Sequence, residues 1–509
     1  MNGNKPKVRV RFAPSPTGFL HIGGLRTALY NYLFAKHEGG DFILRIEDTD
    51  RARFVEGGME NIIRTLTWAG LEYTEGPFLK DGQIEQRGEC GPYIQSERLT
   101  IYKKYVAELV KKDRAYYCFC TSEKLEELRQ EQMAKKMPTM YDGHCKRLPK
   151  QEIERLLSEG GPCVLRLNVP DEGETFFTDI IRGEVRFKNQ LIDDQVLLKS
   201  DGYPTYHLAN VVDDHLMKIT HVIRAEEWLS STPKHVLLYE AFEWVLPQFA
   251  HLPLLLNSDR SKLSKRQGDV AAEDYAKKGY LKEALINFIA LLGFNPSAEQ
   301  EIYSFDELIE KFDLAKVNKT GAVFNVEKLN WLNNHYIKQL TDDDLLAMCQ
   351  PYLETANLIS KKAKKIIINS TKEEISREAL LAIIALTKER LSKLDDIVFE
   401  SQFFFADALE YPKSMLLWKD ADTAKTKRTL TALLKFMWDL VDAEFNDKLV
   451  LEKSTIDFIK KTKRKNGDVL WPMRVALSGR EKSPGPFEIA SILGKDTSVK
   501  RIKRAIDLL

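Results

Sequence analysis

The first 47 residues carry a β-α-β pattern, and this pattern constrains the fold more than any other feature. Residues 8–13 alternate apolar and polar side chains, as a half-buried strand does. Residues 22–37 place apolar side chains at helical spacing, and two glycines directly after residue 38 predict the end of that helix. Residues 41–47 predict a second strand. Since strands joined through a helix usually run parallel, we predict an α/β fold with a parallel sheet.

A Pro/Gly loop, PSPTGFLHIGG at residues 14–24, leads into the helix. It lacks G-x-G-x-x-G, so no dinucleotide-binding fingerprint is present, but backbone N–H groups at a helix N-terminus attract phosphate. A second segment, KLSKR at residues 262–266, carries flexible cationic side chains that suit a polyphosphate. Alone, His21 would more often be a polar cap and the lysines a solvated turn. Together, the two segments predict one ATP site.

Length and composition limit the class of protein. A chain of 509 residues suggests about three to five domains, and 43% hydrophobic with 30% charged residues is typical of a soluble globular protein. No run of about 18 apolar residues predicts a membrane span, and the N-terminus lacks the apolar segment of a signal peptide. Six unevenly spaced cysteines do not suggest a disulfide framework, so we expect a reducing cytoplasm.

The sequence pattern changes twice along the chain. Residues 116–189 contain a cysteine cluster, a charged helix and short strands, which we interpret as an inserted α+β module. The parallel-strand pattern resumes near Gln195, and beyond Arg266 almost every pattern is helical. The formal net charge is +1, so basic residues matter only where they cluster. Lysine clusters occur at residues 361–365, 460–465 and 500–504, and they fit a solvated surface or an RNA-binding face equally well.

Several motifs in a fixed order resemble class I aminoacyl-tRNA synthetases. PSPTGFLHIGG resembles their HIGH motif and KLSKR their KMSKS loop. RVRFAPSPTG and LRIEDTD, at residues 9–18 and 44–50, are similar to glutamyl-tRNA synthetases of bacterial type, whereas glutaminyl enzymes typically have PEPNG and RFDDTN. The similarity continues through residues 203–210, 221–228 and 231–235 and, more weakly, 472–479 and 487–489. Gly24 departs from HIGH, so His21 is the motif's only imidazole.

The resemblance implies four regions and a fold class. Residues 1–115 and 190–260 would form a Rossmann-type catalytic core, and residues 116–189 an insertion that handles the tRNA acceptor end. Residues 261–340 would hold the lysine loop and a helical stem-contact region, and residues 341–509 an all-helical anticodon-binding region. The expected class is therefore an α/β parallel-sheet core with an α+β insertion, followed by an all-α C-terminal half.

A dicarboxylic amino acid needs cations for its two carboxylates and an anion for its α-ammonium group. Arg11 and Arg224 offer guanidinium forks that suit carboxylates, and Glu47 offers the anion. Without the resemblance, each arginine would more often form a surface ion pair. By resemblance, the glutamate-binding residues are Arg11, Ala13, Ser15, Glu47, Tyr206, Asn210 and Arg224.

The resemblance also implies the reaction. Glutamate would be activated by ATP as glutamyl-adenylate and then transferred to tRNA(Glu), with release of AMP and pyrophosphate. Mg²⁺ is expected with the triphosphate, and relatives of this type typically need bound tRNA before activation. The expected catalytic residues are His21, Lys262 and Lys265. The expected ATP-binding residues are Ser15, His21, Gly23, Glu227, Trp228, Leu254, Leu255, Lys262, Leu263 and Lys265.

Cys118, Cys120 and Cys145 form a second candidate site, because clustered thiolates can begin a tetrahedral zinc site. Some relatives bind zinc here through three cysteines and a histidine or tyrosine. Tyr141 or His144 would then be the fourth ligand, and Tyr141 is our expectation. Three free thiols without a metal are the alternative.

Two other functions share the core motifs. A tRNA-modifying paralogue that transfers glutamate to a queuosine base stops near the end of the core, so the helical tail argues against it. A non-enzymatic RNA-binding descendant would not need His21, Glu47, Arg224 and the loop lysines. The motifs are compatible with charging of tRNA(Glu) alone or of tRNA(Gln) as well. Arg390 is a candidate for contact with the anticodon, and a cytoplasmic monomer is the family default.

Overall fold

The β-α-β pattern at the start of the chain folds as predicted. In the computed structural model, which describes residues 7–263, 271–363 and 365–509, β1 (Arg9–Phe12) leads to α1 (Ile22–His37) and β2 (Asp41–Leu44). The two strands are parallel, with Val10 opposite Phe42. α1 is buried along 11 of its 16 residues, so it is an internal helix of the core.

The chain divides into two compact units. The first comprises residues 1–277 and 282–326, and the second comprises residues 278–281 and 327–509. The further strands of the first unit are β3 (Gly76–Lys80), β4 (Gln83–Arg87), β5 (Ala115–Cys118), β6 (Val164–Leu167), β7 (Glu174–Asp179), β8 (Gly183–Lys188), β9 (Val196–Leu198), β10 (His221–Ala225), β11 (Gln248–Leu252), β12 (Leu255–Leu256) and β13 (Ala322–Val323). Its further helices are α2 (Gly58–Trp68), α3 (Leu99–Lys111), α4 (Ser122–Ala134), α5 (Lys150–Ser158), α6 (Tyr206–Leu216), α7 (Thr232–Phe242), α8 (Ala272–Lys277), α9 (Lys282–Ala290) and α10 (Phe305–Lys311).

Parallel strands carry the centre of this unit. β10 pairs with β11 in parallel, and Arg224 lies opposite His251 in that register. The backbone N–H of Thr220, just before β10, donates to the carbonyl of Arg9 at 2.9 Å, so β1 adjoins β10. The carboxyl ends of β1, β2 and β10 therefore meet at one edge, where ligands bind in open α/β folds.

Two strand pairings differ from the prediction. We expected the parallel pattern to resume near Gln195, but β9 pairs antiparallel with β6, in a sheet of order β5-β6-β9. Conversely, β7 of the expected insertion pairs in parallel with β11, through Asp179 and Phe249, and antiparallel with β8. A short apolar run such as Val-Leu-Leu has no periodicity that distinguishes parallel from antiparallel pairing, which explains the error.

The second unit is mainly helical. Its helices are α11 (Val326–Gln339), α12 (Asp342–Thr355), α13 (Arg377–Thr387), α14 (Asp396–Ser401), α15 (Thr423–Asp439), α16 (Asp442–Asn446), α17 (Lys448–Lys461), α18 (Asn466–Ser478) and α19 (Pro486–Leu508). The expectation of an all-helical tail is wrong in one segment, where β14 (Ile359–Lys362), β15 (Lys365–Ile368) and β16 (Glu374–Ile375) form an antiparallel sheet. Three consecutive isoleucines in β15 explain this, because β-branched side chains favour strands.

The predicted fold class is confirmed, with a parallel-sheet core followed by a helical C-terminal half. In the part of the chain that the structure describes, no helix combines the length and apolar character needed to cross a membrane.

Candidate functional site

A cavity of 540 Å³ lies at the carboxyl ends of β1, β2 and β10. The strands and the loops after them bring together side chains that are far apart in sequence. The predicted site residues that line it are Arg11, Ala13, Ser15, His21, Gly23, Glu47, Tyr206, Asn210, Arg224, Glu227, Trp228, Leu254, Leu255, Lys262 and Leu263. Lys265, predicted as catalytic and ATP-binding, lies outside the described residues.

Buried ion pairs hold one wall of the cavity. One Asp214 oxygen accepts from Arg11 Nε at 2.9 Å and from Arg45 Nη1 at 2.7 Å. Arg45 Nη2 also donates to Glu47 at 3.0 Å. Asn210 adds its amide oxygen, 3.3 Å from Arg11 Nη2 and 3.2 Å from Arg45 Nη2 in the orientation that satisfies both contacts. Burial raises the pKa of Glu47, although the charges of Arg45 and Arg11 oppose the increase.

Asp213 neutralises a further guanidinium beneath this wall. It accepts from Arg98 Nε at 2.7 Å, from Gln95 at 2.9 Å and from the Tyr102 hydroxyl at 2.8 Å. These contacts match three cations with three anions, namely Arg11, Arg45 and Arg98 with Glu47, Asp213 and Asp214. The positive charges of this wall are therefore compensated within the protein.

Arg224, near the carboxyl end of β10, is also buried at the cavity, with 5% of its surface exposed, and its partners are neutral. Its Nη1 donates to the Tyr206 hydroxyl at 2.8 Å, and its Nη2 donates to the Thr232 hydroxyl at 2.8 Å. Its Nε lies 3.1 Å from His251 Nε2, and its Nη1 lies 3.3 Å from His235 Nδ1. Among the described residues, no carboxylate forms an ion pair with Arg224.

The motifs did not predict Arg45, Asp213 and Asp214, although these residues hold the wall together. The signal was present in α6, where two adjacent acids follow Val211 and Val212 and are fully buried with them. Buried acids are nearly always paired or bonded, so an Asp-Asp pair on an apolar helix face predicts cationic partners. The sequence does not identify those partners. Arg11 lies on β1, Arg45 directly follows β2, and Arg98 directly precedes α3.

His21 caps the N-terminus of α1 beside the cavity. Its Nδ1 accepts from the Gly24 backbone N–H at 3.1 Å, which places the proton of the neutral ring on Nε2. A Cβ atom at Gly23 would lie 3.1 Å from this imidazole, and one at Gly24 would lie 2.7 Å from Leu20. Packing therefore favours glycine at position 24, where the HIGH motif has its second histidine.

The described start of the lysine loop lies on the far side of the cavity. Lys262 forms an ion pair with Glu227, and both side chains are about half exposed. The Leu263 N–H donates to the Leu255 carbonyl at 2.9 Å, which anchors the loop to β12. Trp228 packs against Tyr206 with ring centroids 4.2 Å apart. This side of the cavity is more accessible to water than the wall that holds Arg11.

The cysteine cluster forms a separate site, away from the cavity. The three sulfur atoms of Cys118, Cys120 and Cys145 lie within 4.8 Å of one another, and the Tyr141 hydroxyl lies 3.5 Å from Cys118 Sγ and 3.3 Å from Cys120 Sγ. Hydrogen bonds from Cys145 and Tyr141 lower the pKa of the Cys118 thiol to about 4. Three close sulfur atoms and a phenol oxygen are a donor set that fits zinc. His144 is exposed, and Tyr141 is the nearer of the two candidates for a fourth ligand.

Family models match both parts of the chain. Residues 7–331 match the model described as the catalytic domain of class I tRNA synthetases (E and Q). Residues 344–506 match the model of an anticodon binding domain.

Individual relatives match over nearly the whole length. A protein of Chloroherpeton thalassium called glutamate–tRNA ligase is 47% identical over 521 residues, covering 99% of this chain and 98% of that protein. One of the same description from Clostridioides difficile is 46% identical over 508 residues, covering 97% and 98%. A crystal structure of a glutamate tRNA ligase from Elizabethkingia meningosepticum, in complex with its amino acid, is 39% identical, with a TM-score of 0.84 and coverage of 98% and 99%.

Proposed function

The chain belongs to the glutamate–tRNA ligase family of class I aminoacyl-tRNA synthetases, as its motifs predicted, and on this premise we propose that it attaches L-glutamate to tRNA(Glu). ATP drives the reaction through a glutamyl-adenylate, and AMP and pyrophosphate are released. The observation that carries the proposal is Arg224, a buried guanidinium at the cavity that no carboxylate pairs with among the described residues.

Glutamate supplies the charge that this side of the cavity lacks. At neutral pH the amino acid carries two carboxylates and one ammonium group, a net charge of about −1. Its side-chain carboxylate would bind Arg224 and the Tyr206 hydroxyl, because charge-assisted hydrogen bonds to a guanidinium are strong. Glutamine has the same shape but a neutral amide, so it would leave the buried cation without a counter-charge.

The rest of the amino acid faces the ion-paired wall. Glu47 would accept from the α-ammonium group, and Arg11 would bind the carboxylate that reacts. Asn210 and Ser15 add neutral polar contacts, and Ala13 borders the amino acid at the end of β1. A wall fixed by buried ion pairs holds the reacting carboxylate in one orientation, which lowers the entropy lost in the reaction.

ATP would occupy the outer part of the cavity, between α1 and the lysine loop. Backbone N–H groups at the N-terminus of α1 favour phosphate there, and His21 and the loop lysines offset its charge. Mg²⁺ would accompany the triphosphate as part of the substrate. The proposed ATP contacts are Ser15, His21, Gly23, Glu227, Trp228, Leu254, Leu255, Lys262, Leu263 and Lys265.

The reaction takes two steps. An oxygen of the glutamate α-carboxylate attacks the α-phosphorus of ATP, the bond to the β-phosphate oxygen breaks, and pyrophosphate leaves. The terminal ribose hydroxyl of tRNA then attacks the acyl carbon and loses its proton, the bond between the acyl carbon and the phosphate oxygen breaks, and AMP leaves with the electrons of that bond. The protein forms no covalent intermediate. Its proposed catalytic residues, His21, Lys262 and Lys265, compensate the charge that develops on the phosphates.

Residues beyond the core would hold the tRNA. We assign residues 1–115 and 190–260 to catalysis, 116–189 to the acceptor end, 261–340 to the lysine loop and stem contacts, and 341–509 to the anticodon. In the second unit, Arg390 pairs with Glu400 at 2.5 Å, and the Arg480 guanidinium stacks on the exposed Phe399 ring at 3.9 Å. An arginine beside an exposed aromatic ring offers planar surfaces on which an unstacked base can stack. We further propose a cytoplasmic monomer.

Zinc would bind through Cys118, Cys120, Cys145 and Tyr141, and would stabilise the fold of the insertion rather than act in the reaction. Metal analysis of protein purified without chelator tests this. About one equivalent of zinc that is lost in the Cys118→Ser variant is expected. Less than about a tenth of an equivalent in the unaltered protein would refute the site.

Charging assays with tRNA(Glu) and tRNA(Gln), run with pyrophosphate exchange in the presence and absence of tRNA, test the function. We expect charging of tRNA(Glu) and exchange that depends on tRNA. Exchange without tRNA and without charging would instead indicate the tRNA-modifying activity, and no exchange under any condition would indicate an inactive RNA-binding protein. The parallel tRNA(Gln) reaction decides whether one or both tRNAs are substrates.

A further inference from the structure

Behind Arg224 lies a chain of buried polar groups that does not reach the cavity surface. Arg224 and His251 are opposite each other on β10 and β11, and Asp179 ends the next strand, β7. His251 Nε2 lies 3.1 Å from Arg224 Nε, and His251 Nδ1 lies 2.6 Å from Asp179 Oδ2. The side chains of Asp179 and His251 are fully buried. Three neighbouring strands therefore line up carboxylate, imidazole and guanidinium in that order.

The hydrogen bonds fix one tautomer of His251. Arg224 Nε–H can only donate, so His251 Nε2 must accept. The ring proton must therefore lie on Nδ1, and Asp179 accepts the hydrogen bond from that N–H. Burial, assisted by the charge of Arg224, lowers the pKa of His251 to about 4, even though Asp179 opposes the shift. His251 is thus neutral at neutral pH, and it acts as an oriented acceptor.

His235 repeats this arrangement on α7. Its Nδ1 lies 3.3 Å from Arg224 Nη1, so it accepts there, and its Nε2–H donates to His207 Nδ1 at 3.1 Å. Burial, followed by the charges of Arg224 and His207, lowers the pKa of His235 well below its usual range. Thr232 Oγ1, 2.8 Å from Nη2, completes a set of neutral acceptors around the guanidinium.

We propose that Asp179 and His251 are positioning residues that hold Arg224 for the side-chain carboxylate of the amino acid and thereby set the selectivity for glutamate over glutamine. This inference rests on the proposed function. A carboxylate in direct contact with Arg224 would orient it equally well, but it would satisfy the charge that the substrate must satisfy. The imidazole of His251, between Asp179 and Arg224, orients the guanidinium through a neutral nitrogen. The charge of Arg224 therefore stays available to the ligand.

Asp179→Asn is the sharpest test, because it is isosteric and reverses one hydrogen bond. The amide oxygen that this substitution introduces can still accept from the backbone N–H groups of Ile181 and Arg182, which lie 3.0 and 2.9 Å from the carboxylate oxygen it replaces. The new NH₂ group would donate to His251 Nδ1, which moves the ring proton to Nε2, where it faces Arg224 Nε–H. We expect KM for glutamate to rise about tenfold or more with KM for ATP unchanged, and the glutamate/glutamine preference to fall by a similar factor.

Asp194→Asn provides the matched control, because Asp194 is partly buried, accepts from the Tyr116 hydroxyl at 2.5 Å and belongs to the β5-β6-β9 region. It should leave KM for both substrates and the amino-acid preference unchanged. Equal KM values for glutamate in Asp179→Asn and the unaltered protein would overturn the inference. If the unaltered protein charged no glutamate, the proposed function would fail instead, so the two failures are distinguishable.

A second pair of variants keeps the test decisive if Asp179→Asn does not fold. His251→Gln places an amide oxygen where Nε2 lies, whereas His251→Leu has nearly the same size and no acceptor. The inference predicts that KM for glutamate stays within about threefold in the Gln variant and rises about tenfold or more in the Leu variant, with the same order in the glutamate/glutamine preference. Equal effects of Gln and Leu would show that His251 only fills space and would overturn the inference.

Discussion

Arg11 and Arg224 line the same cavity, but the protein treats their charges in opposite ways. Arg11 shares Asp214 with Arg45 through bonds of 2.9 and 2.7 Å, so its charge is compensated before any ligand arrives. Arg224 is equally buried but contacts hydroxyls and imidazoles. A guanidinium that is already paired with a carboxylate serves mainly as a rigid hydrogen-bond donor. A buried guanidinium without a carboxylate partner gains more free energy when an anionic ligand binds it.

Because of this contrast, substitutions in the ion-paired wall should change the stability of the fold, whereas substitution of Arg224 should change the affinity for glutamate. Removing a partner from the ion-paired wall leaves buried charges without counter-charges in the folded protein, so the loss should appear as a lower free energy of unfolding. Removing Arg224 relieves a buried charge and breaks no ion pair among the residues that the structure describes, so the loss should appear when glutamate binds. Substitutions in the two regions should therefore change different quantities, and the largest change is expected at the ion-paired wall.

Asp214→Asn should lower the free energy of unfolding by about 3–5 kcal/mol, because it leaves Arg11 and Arg45 with one fewer buried counter-charge. Chemical denaturation measures this change as a lower midpoint for unfolding of the first unit. Asp171, whose side chain is 87% exposed where it pairs with Lys146, provides the control, and Asp171→Asn should leave the midpoint unchanged. Equal midpoints for both variants would show that the wall is not held by its ion pairs.

The pH dependence of the same protein gives an independent check on Asp214. Burial would raise the pKa of this carboxyl, but Arg11 and Arg45 outweigh burial and lower it below 3.8 in the folded state. The ionised form therefore contributes stability at neutral pH, and that contribution is lost as the pH falls below 3.8 towards the folded pKa. The Asp214→Asn variant should therefore lose less of its free energy of unfolding than the unaltered protein does as the pH falls through this range.

Arg224→Ala should raise KM for glutamate roughly 100-fold while KM for ATP changes by less than about threefold, because a bond between a buried guanidinium and a carboxylate is worth a few kcal/mol. Steady-state pyrophosphate exchange at saturating tRNA measures both values. Arg155→Ala removes an exposed arginine on α5 and serves as the control. Parallel increases in both KM values would contradict the assignment of Arg224 to the glutamate side chain.

Local sequence patterns predicted the strand, the loop and the helix at the start of the chain. The alternation before residue 13, the helical spacing of 22–37 and the loop between them place His21 at a helix N-terminus, where the structure has it. Arg224 was predicted from its motif, and its place at the cavity follows from the end of β10. The strand, helix and loop predictions depend on neighbours in sequence, which is why they are confirmed without tertiary information. The role of Arg224 in binding glutamate stays a prediction from the motif.

Features that depend on distant partners were not predicted. Asp179 and His251 acquire their arrangement only because β7 and β11 become neighbours, and the expected insertion boundary separated them. The β5-β6-β9 pairing was missed for the same reason, since three apolar residues in β9 fit either sheet. The role of Lys265 stays a prediction from its motif, because that residue lies outside the described part of the chain.

Lys262→Ala tests the outer part of the cavity, where charges are accessible to water and effects should be smaller. The rate of adenylate formation should fall about tenfold through loss of one phosphate contact, with KM for glutamate and the melting temperature unchanged. Rapid-quench measurement of pyrophosphate formation in a single turnover, with tRNA present, isolates this step. Lys316→Ala, another exposed lysine with an acidic partner, is the control. An unchanged rate would exclude Lys262 from phosphate binding.

Glu227→Gln carries the smallest expected effect and gives the most direct view of the outer cavity. Glu227 pairs with Lys262, and both side chains are about half exposed, so the carboxylate is accessible to the nucleotide beside the lysine. An exposed contact contributes at most about 1 kcal/mol, so loss of this proposed ATP contact should raise KM for ATP by up to about fivefold and leave KM for glutamate unchanged. If KM for ATP falls instead, the carboxylate competes with the phosphates for Lys262, and the outer site would then differ from the inner wall, where acids place the ligand.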